Sequence, residues 1–190
     1  MRISPLQIYQ AKKRISQWVT RTPLVRAHDL SELCGAEIWS KLEILQPTGA
    51  FKLRGATNTI LQLNEDERKR GVVASSTGNH GRAVMKLSLE AGKPVPVIEE
   101  PSLADSLGGG IGLDNQYTFQ LVRDLVDETL LVSEDEIAQA MRYIFETQRL
   151  VVEGGAAVGV AALLAKKIEV KGKNVALIYS GNNVSSETVR

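Results

Sequence analysis

The sequence predicts an α/β protein, and three observations carry that prediction. Two short runs, Glu37–Glu43 and Asn174–Tyr179, have the alternating or continuous apolar pattern of strands. A third run, Val72–Ser75, leads through a polar, glycine-containing loop into a helical pattern that reaches Ala91, and strand, loop and helix in that order make an α/β unit. Further helical patterns lie between these runs, so we expect helices to flank a sheet.

Capping signals and apolar periodicity predict the helices in order. The first opens with a capping box between Ser4 and Gln7, with Pro5 at its first position. Asp29 is expected to cap a second, short helix that Gly35 ends. The remaining predicted helices are Ala50–Leu63, a charged turn capped by Asn64 and Glu67, one that starts at a capping box of Ser133 and Glu136, and a small-residue helix over Glu153–Lys167.

Composition and charge exclude several classes of protein. The 190 residues carry 23 Lys and Arg against 22 Asp and Glu, a balance that gives no basic field to hold a nucleic-acid backbone. Hydrophobic residues make up 43% of the chain, as in globular proteins and unlike disordered ones. The longest weakly polar run, Gly154–Ala165, is too short to cross a bilayer, and the first residues lack the pattern of a secretory signal. We therefore expect a cytoplasmic protein without a membrane partner.

One cysteine and two histidines limit the available chemistry. Cys34 cannot form an internal disulfide, and a lone free cysteine is most simply a small, buried apolar residue. Because His28 and His80 are the only histidines, a conventional zinc site is not expected. We predict no metal.

Three loops follow predicted strands, at the edge of an open α/β sheet where ligands bind. The loop after Glu43 carries Lys52 among small and apolar neighbours that would desolvate its amine, as Schiff-base chemistry requires. A solvated surface lysine is the alternative. The loop Ser76–Gly81 offers hydroxyls and backbone amides at a helix start, which suit a carboxylate or simply cap the helix. The loop Ser180–Asn183 is by composition an ordinary turn.

Taken together, these segments resemble the fold-type II pyridoxal-phosphate enzymes, most closely the threonine/serine dehydratases, including the hydroxyectoine utilisation dehydratase branch. Four stretches carry the resemblance, in the family's order: Lys41–Ala56, Ser75–Gly81, Pro101–Gly110 and Ser180–Asn183. The resemblance implies an open, mostly parallel sheet flanked by helices, with pyridoxal 5'-phosphate as cofactor. It also implies a small-molecule amino-acid substrate and β-elimination to a 2-oxo acid and ammonia.

The resemblance also implies a role for each site residue. Lys52 would bind the cofactor as a Schiff base and move the α-proton, and Phe51 would pack near the pyridine ring. Asn79 would bond the ring hydroxyl, and Ser180 would meet the ring nitrogen, where a neutral hydroxyl favours elimination. The substrate carboxylate would be held by Ser76, Thr77, Gly78 and His80. Thr77 also stands where racemising relatives place a second base.

The chain departs from the family by the loss of a long internal segment near Val84 and Met85. This loss would remove most of the small domain and the glycine-rich loop that holds the cofactor phosphate. It predicts a large, incomplete cofactor-binding domain over 1–65 and 95–190 and a small-domain remnant over 66–94. Apolar surface left without its neighbours would favour a homo-oligomer.

Two alternatives stay open at this point. An amino-acid racemase would use the same scaffold, cofactor and lysine. A remnant without catalysis, which binds an amino acid or a partner chain, is indicated by the missing phosphate loop. Glu153 resembles a family position near the cofactor, and a carboxylate favoured at a helix start by the helix dipole is an equal interpretation.

Overall fold

The computed structural model describes residues 3–70, 102–107 and 118–185. It contains a three-stranded sheet in the order β1 (Leu24–Arg26), β2 (Glu37–Leu42) and β3 (Asn174–Tyr179). β1 pairs antiparallel with β2, and β2 pairs parallel with β3 along its whole length. The two strands that the apolar runs predicted are therefore present and adjacent.

Helices precede and follow these strands along the chain. In the described residues they are α1 (Pro5–Ile15), α2 (His28–Cys34), α3 (Lys52–Ile60), α4 (Glu65–Arg70), α5 (Thr118–Leu125), α6 (Glu134–Gln148) and α7 (Gly154–Leu164), with 3-10 turns at Glu43–Leu45 and Asp105–Leu107. The capping boxes predicted at the starts of α1 and α6 are both formed. The fold is therefore α/β, as predicted.

The predicted cap of α2 is wrong. The helix begins at His28, and the residue before it, Ala27, makes no capping hydrogen bond through its side chain. Asp29 lies inside the first turn, where its negative charge is favourable because of the helix dipole. Gly35 ends the helix in the left-handed conformation, with φ 60°, as predicted.

The core lies between the sheet and the pair formed by α6 and α7. Its fully buried side chains include Ile38 of β2, Ile144 of α6 and Val160 of α7. α7 is the small-residue helix that the sequence predicted, and most of its residues are buried. Cys34 is half-buried against this core. Burial, together with the charge of Glu169, raises the pKa of its thiol.

α1 and α3 are less buried than their apolar periodicity predicts. α1 buries only Ile15, and α3 buries none of its residues. The main contacts of α3 are with α1, and not with the sheet or with α6 and α7. Within the described part of the chain, the apolar positions of both helices are therefore covered only in part.

Several predicted features lie outside the described residues. They are the strand Val72–Ser75, the loop Ser76–Gly81 and the helical pattern that reaches Ala91. The predicted small-domain remnant over 66–94 is described only as far as Arg70, so the domain division stays a prediction. None of the helices in the described ranges has the length and apolar character needed to cross a bilayer.

Candidate active site

A cleft of about 740 Å³ lies where the segments that follow β2 and β3 meet. The segment after β2 contributes Phe51 and Lys52, and the segment after β3 contributes Asn183 and the two residues beyond it. Because β2 and β3 are parallel, their carboxyl ends reach the same edge of the sheet. Ligands of open α/β sheets bind at this edge.

Hydrogen bonds along the backbone join the two loops at this edge. The amide of Phe51 donates to the carbonyl oxygen of Ser180 at 2.9 Å. The neighbouring residues Ala50 and Gly181 form an antiparallel bridge. The two predicted cofactor-binding residues are therefore held together, although they are far apart in the sequence.

Gly49 makes this approach of the two loops possible. Its carbonyl oxygen accepts a hydrogen bond from the Asn182 amide at 2.9 Å, and its φ is +70°. A Cβ at this position would lie 2.4 Å from Asn182 Oδ1 and 3.0 Å from Asn183 Oδ1. The side chain of Asn183 also donates to the carbonyl oxygen of Thr48 at 3.2 Å. Only glycine fits here, on both conformational and steric grounds.

Lys52 is the first residue of α3 and lines the cleft. The sequence predicted that small and apolar neighbours would desolvate its amine. In the structure Lys52 is exposed, because α3 buries none of its residues. Of the two interpretations that the sequence left open, the described part of the chain therefore agrees with the solvated lysine and not with the desolvated one, and Lys52 also lines the cleft.

Glu153 lies at the start of α7 and also lines the cleft. It directly precedes α7, and its amide donates to the carbonyl oxygen of Gly181 at 3.0 Å. Its carboxylate lines the cleft and accepts a hydrogen bond from the Asn183 amide at 3.3 Å. A Cβ on Gly181 would lie 2.7 Å from this carboxylate. The start of α7 is therefore joined to the loop after β3.

The far wall of the cleft depends on Glu134, a residue to which the sequence analysis gave no role. Its carboxylate accepts from the Ser102 hydroxyl and from the Leu103 amide, both at 2.7 Å. The same segment packs on α7 so closely that a Cβ on Gly154 would lie 2.3 Å from the Leu103 carbonyl oxygen. Glu134 looked like one of several acidic residues in a helix start, and no local signal marks its contact with residues about thirty positions earlier.

An ion pair between the buried Glu43 and the half-buried Arg54 lies beside the first turn of α3. Glu43 accepts two hydrogen bonds from Arg54, at 2.8 Å from Nε and 2.8 Å from Nη2. It also accepts from Thr22 Oγ1 at 2.6 Å and from Gln46 Nε2 at 3.1 Å. Burial alone would raise the pKa of Glu43, but these hydrogen bonds and the charge of Arg54 outweigh it and lower the pKa to about 2. The carboxylate is therefore ionised throughout the physiological range.

The structure brings together three of the predicted site residues: Lys52, Phe51 and Ser180. The others, Ser76, Thr77, Gly78, Asn79 and His80, lie outside the described residues. Their roles stay predictions. Within the described ranges, no group of three or more His, Cys, Asp and Glu side chains could hold a metal ion.

Comparison with known families identifies the class. Residues 15–88 and 84–181 match a family described as pyridoxal-phosphate dependent enzyme. The chain belongs to this family. The two matches meet at 84–88, where the sequence predicted the loss of an internal segment.

Relatives and solved structures agree with this assignment. A putative threonine dehydratase of Sinorhizobium fredii is 32% identical over 302 aligned positions, which cover 93% of this chain and 91% of the relative. The L-threonine ammonia-lyase of Thermotoga maritima is 28% identical, over 93% of this chain and 75% of its own length. Maize serine racemase has the same fold, with a TM-score of 0.82 at 19% identity over 96% of this chain and 95% of its own. The 302 aligned positions exceed the 190 residues of this chain, so the alignment contains long gaps in this chain, as the predicted internal loss requires.

The cleft fits the reactive end of pyridoxal phosphate. Its volume of about 740 Å³ is within the range of small-molecule sites, and it presents an amine, Lys52, beside an aromatic side chain, Phe51. The described lining of the cleft is less suited to the phosphate end of the cofactor. Among the described lining residues Lys52 is the one cation, and Asp105, Glu134 and Glu153 are acidic. The described part of the cleft therefore suits the aldehyde and ring, and offers the phosphate no cationic partner.

Proposed function

We propose that this chain is a pyridoxal-phosphate-dependent lyase that converts L-threonine or L-serine to a 2-oxo acid and ammonia. The observation that carries the proposal is the position of Lys52 and Phe51 in a cleft whose loop is hydrogen-bonded to Ser180. The family supports the cofactor, and the relatives named as a threonine dehydratase and an L-threonine ammonia-lyase support the reaction.

The chain's own residues divide the work of the reaction. When bound, pyridoxal phosphate withdraws electrons from Cα of the attached amino acid. Lys52 Nζ removes the proton from this Cα, and the β-hydroxyl then leaves as water. A second water releases ammonia and leaves the 2-oxo acid, so the reaction needs no oxidant or reductant. Ser180 would be the neutral hydrogen-bond partner for the ring nitrogen.

The proposal also assigns roles to residues 76–80, which rest on the resemblance alone. Their hydroxyls and backbone amides would hold the substrate carboxylate, and Asn79 would bind the ring hydroxyl of the cofactor. Neutral donors of this kind suit a carboxylate at the start of a helix. The motif order Lys52, then this loop, then Ser180 supports these assignments.

The test is a 2-oxo acid assay with matched lysine variants. Purified chain with pyridoxal phosphate and L-threonine or L-serine should form a 2-oxo acid, detected by NADH oxidation with a coupling dehydrogenase. Lys52→Ala should abolish the product because it removes the base. Lys13→Ala, on the exposed face of α1, is the control and should keep full activity. Equal turnover in Lys52→Ala and the unchanged chain would end the proposal.

Chiral analysis of the same mixtures separates the alternatives. D-serine without 2-oxo acid would identify a racemase, and the absence of both products would favour a remnant without catalysis.

The hydroxyectoine branch of the resemblance adds hydroxylated amino acids from ectoine breakdown to the substrates to be assayed. The proposal also includes a cytoplasmic location, a homo-oligomer and the domain division at 66–94.

A further inference from the structure

The first turn of α3 carries Lys52, yet core packing does not hold it in place. No residue of α3 is buried in the described part of the chain. At its far end, Arg14 of α1 donates a hydrogen bond to Asn58. At its start, the backbone of Phe51 is held by Ser180. A further contact, within the stretch from Phe51 to Asn58, is therefore needed to fix the orientation of the first turn of α3.

Arg54 supplies that connection because it lies two residues after Lys52, in the same turn. Its guanidinium binds both oxygens of Glu43, and such two-pronged pairing fixes orientation as well as distance. Its Nη2 also donates to the carbonyl oxygen of Thr20 at 3.2 Å. The first turn of α3 is thereby joined to two other segments. One is Glu43, which directly follows β2, and the other is Thr20, which precedes β1.

Glu43 is itself buried and surrounded by hydrogen-bond donors. Its residue is only 4% exposed, and it is the one charged side chain buried among the described residues. Lys41 Nζ lies 3.9 Å from its Oε1, in addition to the donors named above. A buried carboxylate with this many partners has a single favourable arrangement, and removal of a partner leaves a buried group unsatisfied.

Gln46 closes the network on the opposite side. Its side-chain amide donates to the Thr20 carbonyl oxygen at 2.9 Å and accepts from the Thr20 amide at 3.0 Å, while it also binds Glu43. The carboxylate therefore lies between the end of β2, the segment at 20–22 and α3.

We infer that Glu43 and Arg54 are positioning residues, which orient the first turn of α3 so that the Lys52 amine meets the cofactor in the cleft. This inference rests on the proposed role of Lys52. Neither residue lines the cleft, so both act through the backbone of the turn rather than on the substrate.

The chain offers a matched control on the same strand. Arg26 Nη2 binds Glu37 Oε1 at 2.6 Å at the opposite end of β2, with side chains 38% and 50% exposed. Glu43→Gln and Glu37→Gln therefore make the same chemical change, one in a buried pair beside α3 and one in an exposed pair far from it. Arg54→Lys keeps the charge and removes the two-pronged contact.

Hydrogen exchange followed by mass spectrometry tests the positioning directly and needs no cofactor. Peptides covering 48–57 should exchange faster by about tenfold or more in Glu43→Gln, while peptides from β3 and α6 keep their rates. Glu37→Gln should match the unchanged chain throughout. Unchanged exchange at 48–57 in Glu43→Gln would overturn the inference. If Glu43→Gln does not fold, the same comparison in Arg54→Lys decides.

Borohydride trapping of pyridoxal phosphate on Lys52 then links position to function. The rate of trapping on Lys52 should fall by about tenfold in Glu43→Gln, as expected when a reacting group is misplaced, and should not change in Glu37→Gln. A wild-type rate in Glu43→Gln despite faster exchange would also overturn the inference. Absence of any trapping in the unchanged chain would instead reject the proposed function, and the exchange result would still decide whether the ion pair holds the turn.

Discussion

The backbone amide of Phe51 donates a 2.9 Å hydrogen bond to the carbonyl oxygen of Ser180. This contact joins the loops that follow two parallel strands, β2 and β3. The site therefore depends on a junction between distant parts of the chain, and its stability can be tested at the glycine beside it.

Gly49→Ala should destabilise the chain more than Gly172→Ala. Both glycines have positive φ, +70° and +72°, so alanine at either pays the strain of the left-handed conformation, about 1–2 kcal/mol. Only at Gly49 would the new Cβ also collide with Asn182; near Gly172 there is nothing within 4 Å. Urea unfolding measures both variants. Equal losses of unfolding free energy would show that the two loops are not packed as described.

Stability should fall with acid in a way that depends on Glu43. Its pKa is lowered to about 2 in the folded chain because the hydrogen bonds from Arg54, Thr22 and Gln46 outweigh the effect of burial. Such a group stabilises the fold above its unfolded pKa, by about 3 kcal/mol, and that contribution is lost as the pH falls from about 4.5 towards 2. Unfolding measured at about pH 3, 5 and 7 should therefore show the difference between the unchanged chain and Glu43→Gln shrinking in acid. A difference that is constant with pH would contradict this.

Tyr179→Phe should destabilise the core. The Tyr179 hydroxyl donates to Gln148 Oε1 at 3.0 Å, and the residue is fully buried. Loss of the donor leaves the part-buried Gln148 Oε1 without this hydrogen bond, at a cost of about 1 kcal/mol. Tyr9→Phe, on exposed α1, is the control and should have no effect on the midpoint of thermal unfolding. Identical midpoints for the two variants would contradict the account of this contact.

Cys34 should react slowly with a disulfide reagent. Burial and the charge of Glu169 raise the pKa of its thiol, so less thiolate is present at neutral pH than in a free cysteine. The release of thionitrobenzoate should be slower than with glutathione, and should increase when the chain is unfolded in urea. A folded chain that reacts as fast as glutathione would contradict the structural role assigned to Cys34.

Local patterns predicted local structure well. The strands β2 and β3 and the capping boxes at Ser4 and Ser133 depend on residues a few positions apart, so the sequence contains the whole signal. The loss near Val84 was visible because family motifs on either side are preserved.

Features that depend on distant partners were not predictable in the same way. Glu134 contacts Ser102, and Glu43 forms an ion pair with Arg54. Each contact joins segments whose pairing no local pattern encodes. The sequence left the exposure of Lys52 undecided for a related reason. Apolar periodicity shows that a helix has a face to bury, but burial also needs a neighbour that covers it.

The most direct test of the account is to find where pyridoxal phosphate binds. The purified chain is mixed with the cofactor, reduced with borohydride and digested, and peptide mass spectrometry locates the modified lysine. The account predicts one specific adduct, on Lys52, accompanied by a visible absorption band before reduction. Adducts spread over exposed lysines such as Lys12 and Lys13, with no preference for Lys52, would contradict it.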